Sequence, residues 1–413
     1  MSLLKHKLIR SVTPLLWRGT GGEVRINPFS IFFLSVAISF FLYSFTQPSQ
    51  LNVETIFQKV DANYKSALSK VPSTTSYPRT YSENSVVRVE SKDWTSGFFP
   101  GCLWYMYEFS KDPAWRKKAE AWTIGLEKEK NNTRTHDLGF ILYNSFGNGF
   151  RLTQDQHYKE VLLKGAKSLA SRYNPTVGCI RSWNHGDWTY PVIVDNMMNL
   201  ELLFWAAKNS SDKTFYSIAV SHAKATMKNH FRKNGSSYHV VDYNPKTGEV
   251  ISRTTATGFG DESTWARGQA WGLYGFTMTY RETNDTVFLN HAEKIAHYFI
   301  KFLPKNKIPY WDFDAPNIPD ELQDASAAAI AASALIELSQ YSKKNSALYF
   351  KTAEEILKTL SSSAYFSPES TQGNFLIVHG VGHKPKKQEV DVPLIYTDYY
   401  FIEAMLRYRA TMR

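Results

Sequence analysis

Cysteine is scarce in this chain: 413 residues hold two, Cys102 and Cys179. Each lies in an apolar context without C-x-x-C spacing, which argues against a disulfide framework or a zinc site and reads as two buried thiols. His, Cys and acid spacings of metal-ligand character are absent too. Asn184-His185-Gly186-Asp187 offers at most two ligands and reads as a turn. The chain has no G-x-x-x-x-G-K-S/T or G-x-G-x-x-G phosphate loop and no G-x-S-x-G elbow. The expectation is therefore no cofactor and no metal. No Lys/Arg run with interleaved aromatics occurs, so nucleic acid is not expected as a partner.

What is present is apolar and aromatic. Hydrophobic residues make up 43% of the chain, with 11 Trp, 24 Tyr and 26 Phe. That builds a large core and excludes a disordered protein, and the surplus of aromatic faces suits stacking on sugar rings. Net charge is +10, but Lys5, Lys7, Arg10, Arg18 and Arg25 against Glu23 place +4 in the first 50 residues and leave +6 over the rest. Such a mildly basic surface suits an anionic small ligand. Residues 31–45, IFFLSVAISFFLYSF, are uncharged and follow Arg25. They are short for a membrane span and right for a signal-peptide apolar region. Residues 1–50 are read as a targeting segment, signal peptide or signal anchor, and any membrane contact as confined to it. An exported, periplasmic location follows, with residues 51–413 as a single catalytic domain.

From Leu51 onward apolar residues recur at i, i+3, i+4 and i+7, which predicts about twelve helices. They fall near 52–71, 95–110, 113–128, 137–151, 156–172, 195–209, 212–230, 263–282, 287–303, 324–341, 346–363 and 397–411. Period-two alternation is confined mainly to YHVVDY (238–243) and EVISRT (249–254), joined by NPKTG, which reads as an inserted β-hairpin. An aspartate precedes every second helix: Asp93, Asp137, Asp195, Asp261, Asp324 and Asp398. Their spacing matches a helical hairpin plus loops. Those helices carry small and aromatic residues (ASAAAIAASA, GQAWGLYG), while the alternate ones are richer in Lys and Glu. This predicts an all-α fold, an (α/α)6 barrel with inner and outer rings; an open helical solenoid is the alternative. Asp is a preferred N-cap and complements the helix dipole, so capping by itself accounts for such a repeat.

Neighbouring residues must then separate caps from chemistry. Asp137 follows His136 and leads into Gly139-Phe140, and Asp195 follows an apolar run and leads into Asn196-Met197-Met198-Asn199. Two carboxylates on adjacent inner helices, facing one cavity, suit acid/base work on a glycosidic or enol-ether bond. One must hold a proton near neutral pH, and the Met197 and Met198 surroundings raise a carboxyl pKa by desolvation. Trp94, Trp183, Trp265 and Trp271 lie at helix starts or in loops as candidate stacking platforms. His239 on the hairpin is a candidate donor, and Arg267 a candidate partner for a substrate carboxylate.

HDLGF (136–140), PVIVDNMMNLELLFWAAK (191–208), DESTWARGQAWGLYGF (261–276), DASAAAIAASALIELS (324–339) and VPLIYTDYYFIEAMLR (392–407) together resemble the unsaturated glucuronyl hydrolases, glycoside hydrolase family 88. The resemblance runs from Trp94 to the C-terminus. It implies an (α/α)6 barrel that removes the 4,5-unsaturated uronic acid from the non-reducing end of lyase-generated oligosaccharides. A carboxylic acid protonates C4 of the vinyl ether, and the same group activates water for attack at C5. By motif match Asp195 takes that role and Asp137 supports it, while Trp94, Trp183, His239, Arg267 and Trp271 fall where the family lines the uronate site. Ala256-Thr257 stands where the family pattern carries His-Gln, so Thr257 bears on substrate preference. The loop HGVGHKPKKQE (379–389), with His383 and Lys384, is placed to meet an acidic next sugar or forms a solvated surface. The related unsaturated rhamnogalacturonyl hydrolases and a non-catalytic sugar-binding toroid are the alternatives. Source polymer, oligomeric state and start codon are not encoded in these motifs.

Overall fold

The computed structural model describes residues 51–70 and 74–412, together with two short strands, β1 (Leu16–Arg18) and β2 (Val24–Ile26). The chain divides into two compact units, Met1–Leu51 and Asn52–Arg413. In the first, β1 and β2 pair antiparallel; the apolar segment at 31–45 lies outside the described residues.

The second unit alternates outer and inner helices. The outer ones are α1 (Val53–Ser69), α3 (Pro113–Ile124), α5 (Gln156–Ala170), α7 (Thr214–Asn229), α9 (Thr286–Lys301) and α11 (Ser346–Leu360). The inner ones are α2 (Phe98–Ser110), a π-helical turn at Gly139–Gly147 running into α4 (Asn148–Thr153), α6 (Asn196–Asn209), α8 (Ala266–Thr283), α10 (Ala325–Tyr341) and α12 (Ile395–Thr411). Inner helices pack on one another in chain order, and α12 packs back on α2. The ring is closed, so the fold is the (α/α)6 barrel and not the open solenoid.

Burial follows composition. Outer helix α9 buries one stripe, Phe288, Ala292, Ile295, Ala296 and Phe299, as an amphipathic helix should. Inner helix α10 is buried from Ala325 to Ser339 without a break, because its alanines let neighbours approach on every side. The π-helix starts two residues after Asp137, and such turns concentrate at functional sites. Gly139 allows that approach: a Cβ there would sit 2.6 Å from Asn199 Cα on α6.

After a short antiparallel pair, β5 (Tyr173–Asn174) with β6 (Cys179–Ile180), the expected hairpin is present as β8 (Val240–Tyr243) and β9 (Val250–Thr254), but it is part of a three-stranded sheet. Its third strand is β7 (Pro191–Ile193), the apolar run before Asp195, paired with Val192 opposite Val241. Two further hairpins near the cavity, β3 (Tyr77–Ser82) with β4 (Ser85–Val89) and β10 (Gly380–His383) with β11 (Gln388–Val392), were not expected from the sequence. Both carry residues depleted in strands, Pro78 in β3 and Gly380 and Gly382 in β10, which hide them from a sequence reading.

The repeated aspartates depart from the capping expectation. Of the six, only Asp324 caps its helix through the side chain, accepting from Ser326 N at 2.9 Å. Asp93 lies before the cap residue Gly97 and bonds Thr95 and Arg79. Asp261 accepts from Thr255 N. Asp398 sits inside α12 and takes the amides of Leu376 and Ile377 at 2.9 and 3.1 Å. Asp195 occupies the cap position of α6 and makes no cap bond. The first amides of α6 turn to backbone carbonyls instead, Met197 N to Val194 O and Met198 N to Asp195 O.

Candidate active site

A cavity of about 810 Å³ opens at the N-terminal ends of the inner helices. Trp94, Asp137, Trp183, Asp195, His239, Thr257, Trp265, Arg267 and His383 all line it. Two sequence candidates do not. Trp271 is fully buried beneath it against Phe140 and Tyr400, and the Lys384 ammonium pairs with Glu321 over the Trp311 ring.

The strand register brings His239 to Asp195. Pairing of β7 with β8 continues through Val194 N to His239 O at 3.0 Å, which sets the ring nitrogen Nε2 3.7 Å from Asp195 Oδ2. That oxygen is buried without a hydrogen-bond partner. Burial pushes the Asp195 carboxyl up to about 7; the Arg267 charge and Trp271 pull the other way and Asp137 adds to the rise. Burial likewise pushes Asp137 up to about 7, opposed by Thr135, Asn199 and Arg172 and reinforced by Asp93. Both side chains keep 15% exposure, so they are desolvated yet reachable. Carboxyls poised near neutral pH in a cleft are candidate acids and bases.

Arg267 is not a free fork. Its guanidinium bonds the carbonyls of Val381 and Gly382 and pairs with buried Asp324 at 3.3 Å, while lying 4.5 Å from the Trp265 ring centroid. It acts as a fixed positive charge behind the pocket and as the tie between α8, α10 and β10.

Several lining residues escaped sequence reasoning. Arg79 of β3 makes a bidentate pair with Glu389 of β11, at 2.5 and 2.9 Å, and a third bond to Asp93. It clamps the two hairpins at the cavity mouth. Tyr396 lines the wall with a buried, unpartnered hydroxyl. The sequence marks His136 only as a neighbour of Asp137, although it too lines the cavity. No periodic or motif signal marks Arg79; the HDLGF motif did contain His136.

Two half-buried carboxyls raised by burial, beside aromatic platforms and a fixed cation at one end of a closed helical ring, define a carbohydrate-active acid/base enzyme. The chain belongs to Glycosyl Hydrolase Family 88, whose profile matches residues 71–409, and it is a glycoside hydrolase. It is 45% identical over 363 residues to an unsaturated glucuronyl hydrolase of Formosa agariphila, covering 86% of this chain and 90% of that one. It is 32% identical over 341 residues to an unsaturated chondroitin disaccharide hydrolase of Streptococcus agalactiae, covering 80% and 85%. A crystal structure of an unsaturated glucuronyl hydrolase specific for heparin superposes with a TM-score of 0.85 at 44% identity, covering 87% of this chain and 97% of that one.

Proposed function

We propose that this chain hydrates the C4–C5 double bond of a 4,5-unsaturated uronic acid at the non-reducing end of lyase-generated oligosaccharides, with Asp195 as both acid and base. The observation that carries the reading is Asp195 itself: at the cap position of α6 its carboxyl makes no cap bond, keeps one oxygen unpartnered and is raised to about 7 by burial. Protonated Asp195 gives its proton to C4, and positive charge develops at C5, shared with the ring oxygen. Water adds at C5 and returns a proton to the Asp195 carboxylate. The resulting hemiketal rearranges and the glycosidic bond opens. One residue suffices because the proton it gives in the first step is replaced in the second.

Asp137 supports this step from the adjacent inner helix, Trp94, Trp183 and Trp265 enclose the ring, and Arg267 supplies the charge that offsets the uronate. The names of the similar proteins, one for chondroitin disaccharide and one for heparin, make glycosaminoglycan-derived disaccharides the first substrates to test. Export through residues 1–50 is part of the proposal, supported by the uncharged run at 31–45 after Arg25; fractionating cells that express the full chain tests it. For the reaction, the enzyme is mixed with unsaturated disaccharides and loss of the conjugated double-bond absorbance is followed. Absorbance loss that disappears in Asp195→Asn supports the assignment; full activity in that variant refutes it. Turnover of saturated analogues would replace hydration by conventional glycosidase chemistry.

A further inference from the structure

Each carboxyl of the pair has a histidine beside it, and the two rings carry their protons on opposite nitrogens. His239 Nδ1 faces the backbone N–H groups of Ala256 and Thr257 at 3.2 and 3.3 Å. Those are donors, so Nδ1 accepts and the proton sits on Nε2, toward Asp195. His136 is reversed. Its Nδ1 lies 2.9 Å from the Ser182 carbonyl oxygen, which only accepts, so the proton is on Nδ1 and Nε2 carries a bare lone pair. Burial holds both rings neutral, pushing each down to about 3.

His136 Nε2 is buried, and no protein donor reaches it. Asp137 Oδ1 lies 3.1 Å away. With an ionised carboxylate, two lone pairs would face each other in a site shielded from water. A proton on Oδ1 turns the same contact into an O–H···N hydrogen bond and removes an unsatisfied buried acceptor.

We infer that His136 is a positioning residue that keeps Asp137 protonated, so that Asp137 meets the substrate as a neutral carboxyl whose one proton is held by His136 while Asp195 does the proton transfer. The inference rests on the acid/base reading above. The groups facing Asp137 are Asp93 before α2, Arg172 after α5, Asn199 and Asp195 of the α6 segment, and Thr135 and His136 on its own segment. Asp93 and Asp195 disfavour a second anion, whereas Arg172, Thr135 and Asn199 favour one. Of these neighbours His136 is the one whose atom facing Asp137 is a buried acceptor with no donor of its own. A uronate carboxylate entering this cavity then meets one resident anion fewer, which strengthens binding. The donor Nε2–H of His239 faces Asp195 and favours the anion that Asp195 becomes once its proton has gone to C4.

The test uses two variants of the full-length enzyme. His136→Asn retains a side-chain N–H for Ser182 and removes the atom that accepts from Asp137; His136→Gln returns an acceptor at that reach. In His136→Asn, KM for an unsaturated disaccharide at about pH 7 should rise about tenfold and the basic limb of kcat/KM should move about one pH unit lower. At about pH 5.5, kcat should stay within about twofold, and His136→Gln should recover most of the loss. An unmoved limb in His136→Asn overturns the inference, since a purely structural histidine would lower activity at every pH alike. If that variant does not fold, the ¹⁵N-histidine spectrum of the wild-type enzyme decides. A neutral Nδ1–H tautomer with hydrogen-bonded Nε2 is expected for His136, and an Nε2–H tautomer or an imidazolium overturns it. The spectrum needs no turnover, so it separates failure of this inference from failure of the substrate reading.

Discussion

The two rings of helices begin with the same residue types and use them in opposite ways. On the outer ring Asn52, Asp112, Asp155 and Asp285 accept from Thr55, Ala114, His157 and Val287 N at 2.8 to 3.0 Å, each an ordinary N-cap. On the inner ring Asp324 does this and the other aspartates do not. At an exposed start the side chain is the best available partner for the orphan amides. At a cavity-facing start, flanking backbone covers them, as Val194 and Asp195 carbonyls do for α6. The Asp195 carboxyl so released faces the cavity, where burial raises its pKa and leaves it poised for proton transfer.

The comparison can be sharpened by substitution at each kind of start. The largest effect is expected at Asp195: Asp195→Asn should lower kcat on an unsaturated disaccharide by about 10²–10⁴-fold, the usual worth of a positioned general acid, with the melting temperature at neutral pH unchanged or raised. Next comes the inner aspartate that does cap. Asp324→Ala leaves buried Arg267 unpaired and should cost about 3–5 kcal/mol in denaturant unfolding, as broken buried pairs do.

A smaller effect separates the rings through pH. Asp137 and Asp195 are raised in the folded state from 3.8 to about 7, so the fold binds their protons more tightly than the unfolded chain does. Their contribution is full below about pH 4 and is lost as pH rises through about 7. Asp195→Asn should therefore gain up to about 4 kcal/mol over wild type at about pH 8, the worth of a shift of about three units, and little at about pH 4, read by unfolding curves at the two pH values. The basic limb of kcat/KM should fall through about 7 for the same reason. The smallest effect is expected on the outer ring. Asp155→Ala should cost about 1 kcal/mol by loss of a cap and leave kcat and KM unchanged; a change in either would blur the distinction between the rings.

Much of the barrel was legible beforehand. Long inner helices such as ASAAAIAASA announce burial on all sides, and the predicted helix at 324–341 lies within a residue of α10. The strands of the β3–β4 and β10–β11 hairpins pair with close sequence neighbours, but Pro78, Gly380 and Gly382 hide them, and the meeting of the two hairpins through Arg79 and Glu389 joins distant segments that no local pattern announces. The same limit applied to Arg267, whose carbonyl partners at Val381 and Gly382 lie more than a hundred residues away. Trp271 belongs to the motif but to the core beneath the cavity, a distinction of depth that helical spacing does not encode.

Local and periodic interactions are written along the chain, so the helix count, the order of outer and inner helices and the recurrence of an aspartate before each inner helix follow from it directly. Protonation is decided elsewhere. Whether a carboxyl caps a helix, ties a loop or holds a proton near pH 7 depends on which backbone groups and rings crowd around it from other segments. For Asp137 and Asp195 those are His136 bound to Ser182 and His239 bound to Ala256 and Thr257. Desolvation and tautomer choice are properties of the packed site, and they exist only once the ring has closed.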